Sequence, residues 1–428
     1  MKKLLILTLA LSLMATASFA TYTRVLTMGD ANMFVPDEHN IWLFPSTIVD
    51  YPELVLAEYW NANLYDEDYY YYYTKASEGP GFMPGMGFHY SWDGFTNMGV
   101  HLNFGNETPF IVGLYFTELE YTPEEFIQVD PYWDFDFDDL ELFEDYGILP
   151  NKRVDAFVGT YLGENKFGAH LQLVSSSQAE EPGDAKEGLM VLGLDLGLTM
   201  MENKMDIAAG FKMLSFTDKD SDGDEEIKND GSMGFHLDGR YFNERSEKIT
   251  LVPHANLAYN KLGLKSGEEE SDGKLSITQM MFAAGVGMHY KPATGILAVG
   301  DFGIIYNSEK AKEEGGGDSM EDKISDFNLP YFKAGLEAVV FDWLDLRMGG
   351  TSYWHMWTYT ADAEEGEEEG KYKQNYVDTE FYLGAGFHWG NLYLDTYTNP
   401  QLLTDGFNFI SGQQSNMNWM VSMKYKMF

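Results

Sequence analysis

The chain has 428 residues, no cysteine, and 68 acidic against 28 basic side chains, for a formal net charge of −40. These figures exclude a disulfide framework and thiolate metal sites, and so negative a surface excludes nucleic acid as a partner. Mean hydropathy is −0.30, as in many soluble proteins, but the same average results when lipid-facing and lumen-facing residues alternate and cancel.

Lys2 and Lys3 precede an apolar run over residues 4–14, and Ser18 and Ala20 supply small residues for cleavage. The pattern predicts a secretory signal peptide over residues 1–20, removed before folding. The run is too short for a spanning helix, which takes about 20 residues. Residues 21–51 hold Asp30, Pro36, Asp37, Asn40 and Pro45 and lack strand-like alternation. They are expected to form a plug-like segment in or beneath the lumen of the domain that follows.

From about Gly85 onward the chain separates, in steps of two, into an apolar and a polar set. Leu192, Leu194, Leu196, Leu198 and Met200 are apolar, and Gly193, Asp195, Gly197 and Thr199 lie between them. The stretches 205–213 and 233–241 repeat the rhythm. Side chains on a strand alternate faces, so one face can meet lipid and the other water. An exported chain crosses a membrane only as helices or as a closed barrel. The prediction is all-β: a transmembrane antiparallel β-barrel over residues 52–428, of roughly 14–16 strands, in the outer membrane of a Gram-negative bacterium.

The weakest strand candidates are 54–60 and 110–116, and 86–92 with 98–104 reads as a hairpin about Asp93-Gly94. Tight turns are expected at 163–165, 202–203, 243–247, 291–292, Asp342 and 390–391. Long polar loops are expected at 177–186, 218–231, 261–274, 307–326 and 361–374. Short turns belong on the periplasmic side of such barrels and long loops outside.

Setting the faces by apolar residues alone turns Asp195, Asp206, Lys212, His236, Asp238, Arg240, His254, Asp301, Lys333, Glu337, Asp345, Arg347 and His388 toward the lumen. Histidine plays no part in that assignment, yet His89, His101, His170, His236, His254, His289, His355 and His388 all fall on the polar face. Exclusion of histidine from lipid accounts for this; a metal site or proton relay would need ligands brought together from separate strands. Asp238 with Arg240, and Asp345 with Arg347, read as charge-balancing neighbours on one strand. Asp195→Asn is accordingly expected to be nearly silent for folding.

Asp218, Asp220, Asp222 and Asp224 place alternate oxygens around Gly223, the spacing of a metal site for calcium. Asn229 stands where such a loop has its bidentate glutamate. The alternatives are an isolated external calcium site and a solvated acidic loop; no other cofactor is required. Residues 132–139 interleave rings and carboxylates, which suits sugars or cations or a loop packed into the barrel mouth. No serine and histidine come together on an exterior face as a barrel hydrolase would need, so no enzyme is expected.

Arg24, Met28-Gly29-Asp30 and Asn40-Ile41-Trp42-Leu43-Phe44-Pro45-Ser46 precede the first strand, and Gly384-Ala385-Gly386-Phe387 is followed by Leu392-Tyr393-Leu394-Asp395 near the end. The arrangement resembles the FadL-type/PorV-type outer-membrane barrels, where an arginine, a Met-Gly pair and an Asn-Pro-Ala segment come before the first strand. Asn40 and Pro45 are not adjacent here. The resemblance implies a barrel of about 14 strands with an N-terminal plug; some members carry hydrophobic molecules and others serve protein secretion. Phe428 suits the terminal aromatic of a barrel-assembly signal, with Lys426 where a second aromatic is usual.

The expected function is an outer-membrane channel or transporter, porin-like or FadL-type, for passive uptake of small molecules. The rival is a barrel-anchored surface-interaction or secretion-associated protein. Expected partners are outer-membrane lipid, the barrel-assembly machinery and small or cationic solutes. The acidic excess predicts a preference for cations if the barrel conducts.

Overall fold

The computed structural model describes residues 22–62, 95–105, 108–120, 150–179, 186–219, 226–266, 273–315, 318–361, 370–398 and 418–427. Helix α1 (Tyr22–Thr27) and two 3-10 turns (Glu38–Trp42 and Pro45–Asp50) lead into the sheet. The first strands are β1 (Leu54–Ala62), β2 (Phe95–Asn103), β3 (Phe110–Glu120), β4 (Pro150–Leu162), β5 (Asn165–Ala179), β6 (Lys186–Met200) and β7 (Met205–Lys219). Strand β8 consists of three successive pieces, Glu226–Asn229, Met233–Tyr241 and Asn243–Ser246, all paired with β9. Then come β9 (Ile249–Ser266), β10 (Lys274–Tyr290), β11 (Ile296–Gly315), β12 (Asp318–Phe341), β13 (Leu344–Ala361), β14 (Gly370–Trp389), β15 (Leu392–Thr398) and β16 (Asn418–Lys426).

Each strand pairs antiparallel with the next, and β1 closes on β16 with Leu54 opposite Lys426. The result is a closed 16-stranded barrel. Closure pairs the backbone groups that an open edge would leave bare.

The outer face is apolar. Leu192, Leu194, Leu196, Phe211, Met213, Phe235, Leu237, Phe282, Val286, Phe332, Leu346 and Met348 are all exposed. At the short-turn end Phe341, Trp343, Phe387 and Trp389 stack in succession, with centroids 5.6, 6.3 and 5.8 Å apart. Aromatic rows of this kind mark a membrane interface.

Both weak candidates, 54–60 and 110–116, are strands. β2 is paired on its two edges by β1 and β3 rather than in the expected hairpin; residues 86–92 lie outside the described ones. The turn expected over 243–247 narrows to Glu247 and Lys248, because Asn243 and Glu244 pair with Leu251 and Thr250. The loop expected over 307–326 is largely ladder: Asn307 faces Asp326, and Gly315 faces Asp318. β12 runs for 24 residues, whereas about 9–11 cross a bilayer. Beyond the lipid neither face of a strand has to be apolar, so the alternation fades while backbone pairing continues.

Candidate functional site

Residues 22–51 run once round the inside of the wall, at the end carrying the short turns, and form a belt. Helix α1 lies on β13–β16. Gly29 sits on Gly349 of β13, and Met28 on Gly335 of β12. Phe34 covers Gly287 of β10, and its carbonyl accepts from His289 at 2.5 Å. Asn40 meets Arg240 of β8. Pro45 and Ser46 lie on Gly197 of β6 and Gly168 of β5. Ile48 touches Gly159 of β4 and Gly113 of β3, and the Tyr51 carbonyl is 2.7 Å from His101 Nδ1 on β2.

Two contacts need glycine. Gly29 has φ +80°, and a Cβ there would lie 2.5 Å from the Ala334 carbonyl oxygen. A Cβ on Gly168 would lie 2.2 Å from the Pro45 oxygen. Belt backbone therefore rests directly on wall backbone.

Ion pairs fix the register of the belt. Arg24 grips Glu337 with Nε and Nη2 at 2.8 and 2.9 Å, and Asp37 with Nη1 at 2.7 Å. Lys166 Nζ reaches both oxygens of Asp50 at 2.5 and 2.7 Å. Lys333 pairs with Asp30, and Lys424 with Glu38. Arg240 donates from Nε to Asp206 (2.8 Å) and from Nη2 to Asn40 (2.9 Å), with its guanidinium 4.4 Å from the Phe44 ring centroid. Buried pairs add little net stability but penalise any displacement that separates the partners.

Within the belt, Asp37 caps the first 3-10 turn by accepting from the His39 N–H at 3.1 Å. Burial, reinforced by neighbouring Glu38, pushes the Asp37 carboxyl up to about 6 despite Arg24 and Lys424. Burial also pushes Glu38 up, but the Lys424 ammonium more than offsets this and leaves it below its ordinary value. Burial pushes His39 down to about 3.

The two shifted groups act on stability with opposite signs. Asp37 favours the seated belt fully below 3.8, and that contribution is lost as pH rises through about 6. His39 is held neutral, so its contribution is present above 6.5 and is lost as pH falls toward about 3. Comparing the wild type with His39→Gln isolates the second effect. Below pH 6.5 the wild type should lose stability relative to the variant by about 1.4 kcal/mol per pH unit. Denaturant titrations of both proteins across that range check this; parallel stability–pH curves would contradict the burial of a neutral imidazole.

The lumen candidates sit on the inner wall in four groups. Asp195, His236 and Asp238 belong to a chain that starts at Arg153. Arg153 Nε–Asp155 is 2.7 Å, Asp155–His170 Nε2 2.7 Å, His170 Nδ1–Asp195 2.6 Å, Asp195–His236 Nε2 2.9 Å and His236 Nδ1–Asp238 2.6 Å. Asp206 and Arg240 hold the belt, and Lys212 lies alongside Gly234. His254 and the Tyr331 hydroxyl converge on Asp301 at 3.1 and 2.8 Å, near Lys333. Glu337, Asp345, Arg347 and His388 form the last group, with Arg347 Nε–Glu337 at 2.7 Å and His388 Nε2–Asp345 at 3.0 Å.

The same-strand pairing is corrected at Asp238–Arg240 and holds at Asp345–Arg347 as the longest of the Arg347 ion pairs. Asp238 bonds His236 and Asn256, not Arg240. Arg347 takes Glu337 and Asp395 as its close partners, with Asp345 at 3.6 Å. Arg240 and Arg347 each find a carboxylate directly across the ladder, Asp206 and Glu337, where side chains come closest. Asp218 is the penultimate residue of β7, its backbone opposite Glu187 and Ile227. Asp220, Asp222, Asp224, His89 and residues 132–139 lie outside the described residues. Among the described residues no three His, Asp or Glu side chains could hold a metal ion.

Two features escaped the sequence reading. One is the buried Arg153–Asp155 end of the polar chain. The other is an apolar layer on the inner wall toward the long-loop end, where a polar lining was expected. It includes Val174, Leu189, Val191, Leu214, Phe216, Leu262, Leu264, Leu275, Ile277, Ala311, Ile324 and Trp357. Its signal was present: in Leu189-Met190-Val191-Leu192 alternation fails because both faces are apolar.

A closed barrel with an apolar exterior and a charged interior defines an outer-membrane β-barrel; here the short-turn end is crossed inside by a belt of its own chain. The fold is similar to that of several solved outer-membrane proteins. The Pseudomonas putida toluene transporter TodX is 10% identical, covering 96% of this chain and 100% of that one, with a TM-score of 0.38. A Pseudomonas aeruginosa FadL homologue is 11% identical, covering 96% and 100%, with a TM-score of 0.37. The alcaligin outer-membrane receptor FauA from Bordetella pertussis is 7% identical, covering 87% and 75%, with a TM-score of 0.39. No protein-family model matches the chain, and no curated protein matches it.

Proposed function

We propose that this protein is an outer-membrane transporter for passive uptake of small apolar or amphipathic molecules, closed to ions at rest by the belt. The observation that carries this reading is the layering of the inner wall. Toward the long loops it is apolar, and toward the short turns it is charged and filled by residues 22–51. A porin holds a water column and needs a polar lining along its whole length. An apolar layer favours apolar solutes by roughly 25 cal/mol per Å² buried, while the seal against ions is the belt. The belt supports a gated rather than a permanently open path.

The test is entry of N-phenyl-1-naphthylamine, an uncharged dye at neutral pH that an intact outer membrane slows. Cells lacking their own apolar-uptake barrels and expressing this chain should take up the dye faster than cells with empty vector. A sugar of similar size should gain no such advantage. Dye entry equal to the empty vector, with folded barrel present in the membrane, would leave the surface-anchor reading in its place.

A further inference from the structure

Between the belt and the apolar layer, β12 and β13 carry a patch of half-satisfied polar groups on the inner wall. In the ladder Asn328 stands opposite His355, and Asp326 opposite Trp357. Asp326 Oδ2 accepts from His355 Nδ1 at 2.6 Å and from Asn328 Nδ2 at 2.9 Å. The other ends of these three groups, Asp326 Oδ1, Asn328 Oδ1 and His355 Nε2, have no hydrogen-bond partner, and neither has the Tyr353 hydroxyl one inward position away. Asp326, Asn328 and Tyr353 are only 9, 2 and 3% exposed. Buried polar atoms are nearly always paired, and a half-complete polar network is less favourable than an apolar surface of the same shape. Four such ends on one face call for a partner that the wall itself does not supply.

The chemistry of that partner follows from the atoms. With His355 Nδ1 bonded to Asp326, Nε2 is the ring atom left to meet a ligand. Asp326 Oδ1 and Asn328 Oδ1 are acceptors only, and the Tyr353 hydroxyl works either way. The partner must therefore bring several N–H or O–H donors. Asp326 adds a negative charge, and rings surround the patch: Tyr376 stacks on His355 at 4.4 Å, and Tyr353 lies 6.2 Å from both His355 and Tyr331. Carboxylate and aromatic faces together favour a cation. One step toward the long loops, Ile324 and Trp357 open the apolar layer, where an alkyl or aryl tail would lie. The acidic chain would also concentrate cations near its mouth.

We propose that Asp326, Asn328, Tyr353 and His355 form a binding subsite for the protonated head of a small amphipathic amine. The inference rests on the uptake reading for the path that delivers the ligand, and its test is separate.

Titrate the detergent-solubilised full chain with hexylammonium, hexanol and hexanoate by calorimetry. Saturable binding of hexylammonium is expected, at least ten-fold tighter than hexanol, with no binding of hexanoate. Asp326→Asn should weaken the amine at least ten-fold. Tyr353→Phe removes an oxygen with no partner in the protein, so it should leave the thermal midpoint unchanged while weakening the amine several-fold. Should Asp326→Asn fail to fold, Tyr353→Phe decides. Equal affinity for hexylammonium and hexanol, or amine affinity unchanged in the folded variants, would overturn the subsite. Entry of the uncharged dye would persist in that case, whereas loss of dye entry with intact amine binding would overturn the uptake reading alone.

Discussion

Arg240→Ala should unseat the belt and cost about 3–5 kcal/mol of stability. Arg240 is 4% exposed and joins three parts of the molecule. It donates to Asp206 on β7 at 2.8 Å, to Asn40 at 2.9 Å and to the Asn32 carbonyl at 3.2 Å. Its guanidinium lies over both Phe44 and Phe242, at 4.4 and 4.9 Å. Truncation leaves the Asp206 carboxylate buried, bonded at Oδ1 to Thr199 alone, and strips the belt acceptors of their donor. Arg240→Lys should rescue little, because an ammonium does not reproduce the planar fork. The absence of cysteine makes a single introduced thiol a clean reporter. In an Ala31→Cys background the buried position should resist maleimide, and Arg240→Ala should expose it. Unchanged labelling and an unchanged denaturation midpoint would show that Arg240 does not hold the belt.

Two neighbouring residues on β6 should both be sensitive, for different reasons. Leu196 is 46% exposed on the outer face, and Leu196→Arg near the bilayer midplane should cost about 2–4 kcal/mol. Asp195 points inward, where the sequence led to an expectation of near silence. The structure corrects that expectation. Asp195 accepts from His170 and His236, and each ring is also bonded to a second carboxylate, Asp155 or Asp238. Asp195→Asn removes the charge shared by two buried imidazoles and should cost about 3–5 kcal/mol, as breaking a buried pair does. Refolding titrations into lipid vesicles measure both. A wild-type curve for Leu196→Arg would mean that Leu196 does not face lipid, and one for Asp195→Asn would mean that the polar chain is not formed.

The wall was legible in the sequence wherever a strand has lipid on one side only. Around Leu194 and Phe235 the apolar period is two, and the inward charges follow from it. Legibility ended where both faces have the same character. Beyond the membrane, in 307–326, both are polar and the strands look like loop. In the upper lumen, at Leu189–Leu192, both are apolar and the inner layer is hidden. Cross-strand partners were also out of reach, since Arg240 finds Asp206 through the ladder register and not through spacing along the chain. The N-terminal stretch was legible by resemblance rather than by period. Arg24, Gly29, Asp30, Asn40, Pro45 and Ser46 are all points where the belt touches the wall, but nothing in their order revealed a complete circuit.

Conductance across a planar bilayer tests most directly the proposal that the belt closes the barrel. At about 0.1 M salt, where charges are screened over about 10 Å, the wild type should be silent or nearly so. Arg240→Ala should open a conductance that favours cations, because carboxylates then outnumber bases along the wall, and the preference should shrink as salt rises. A steady wild-type conductance of the same size as that of Arg240→Ala would contradict the account.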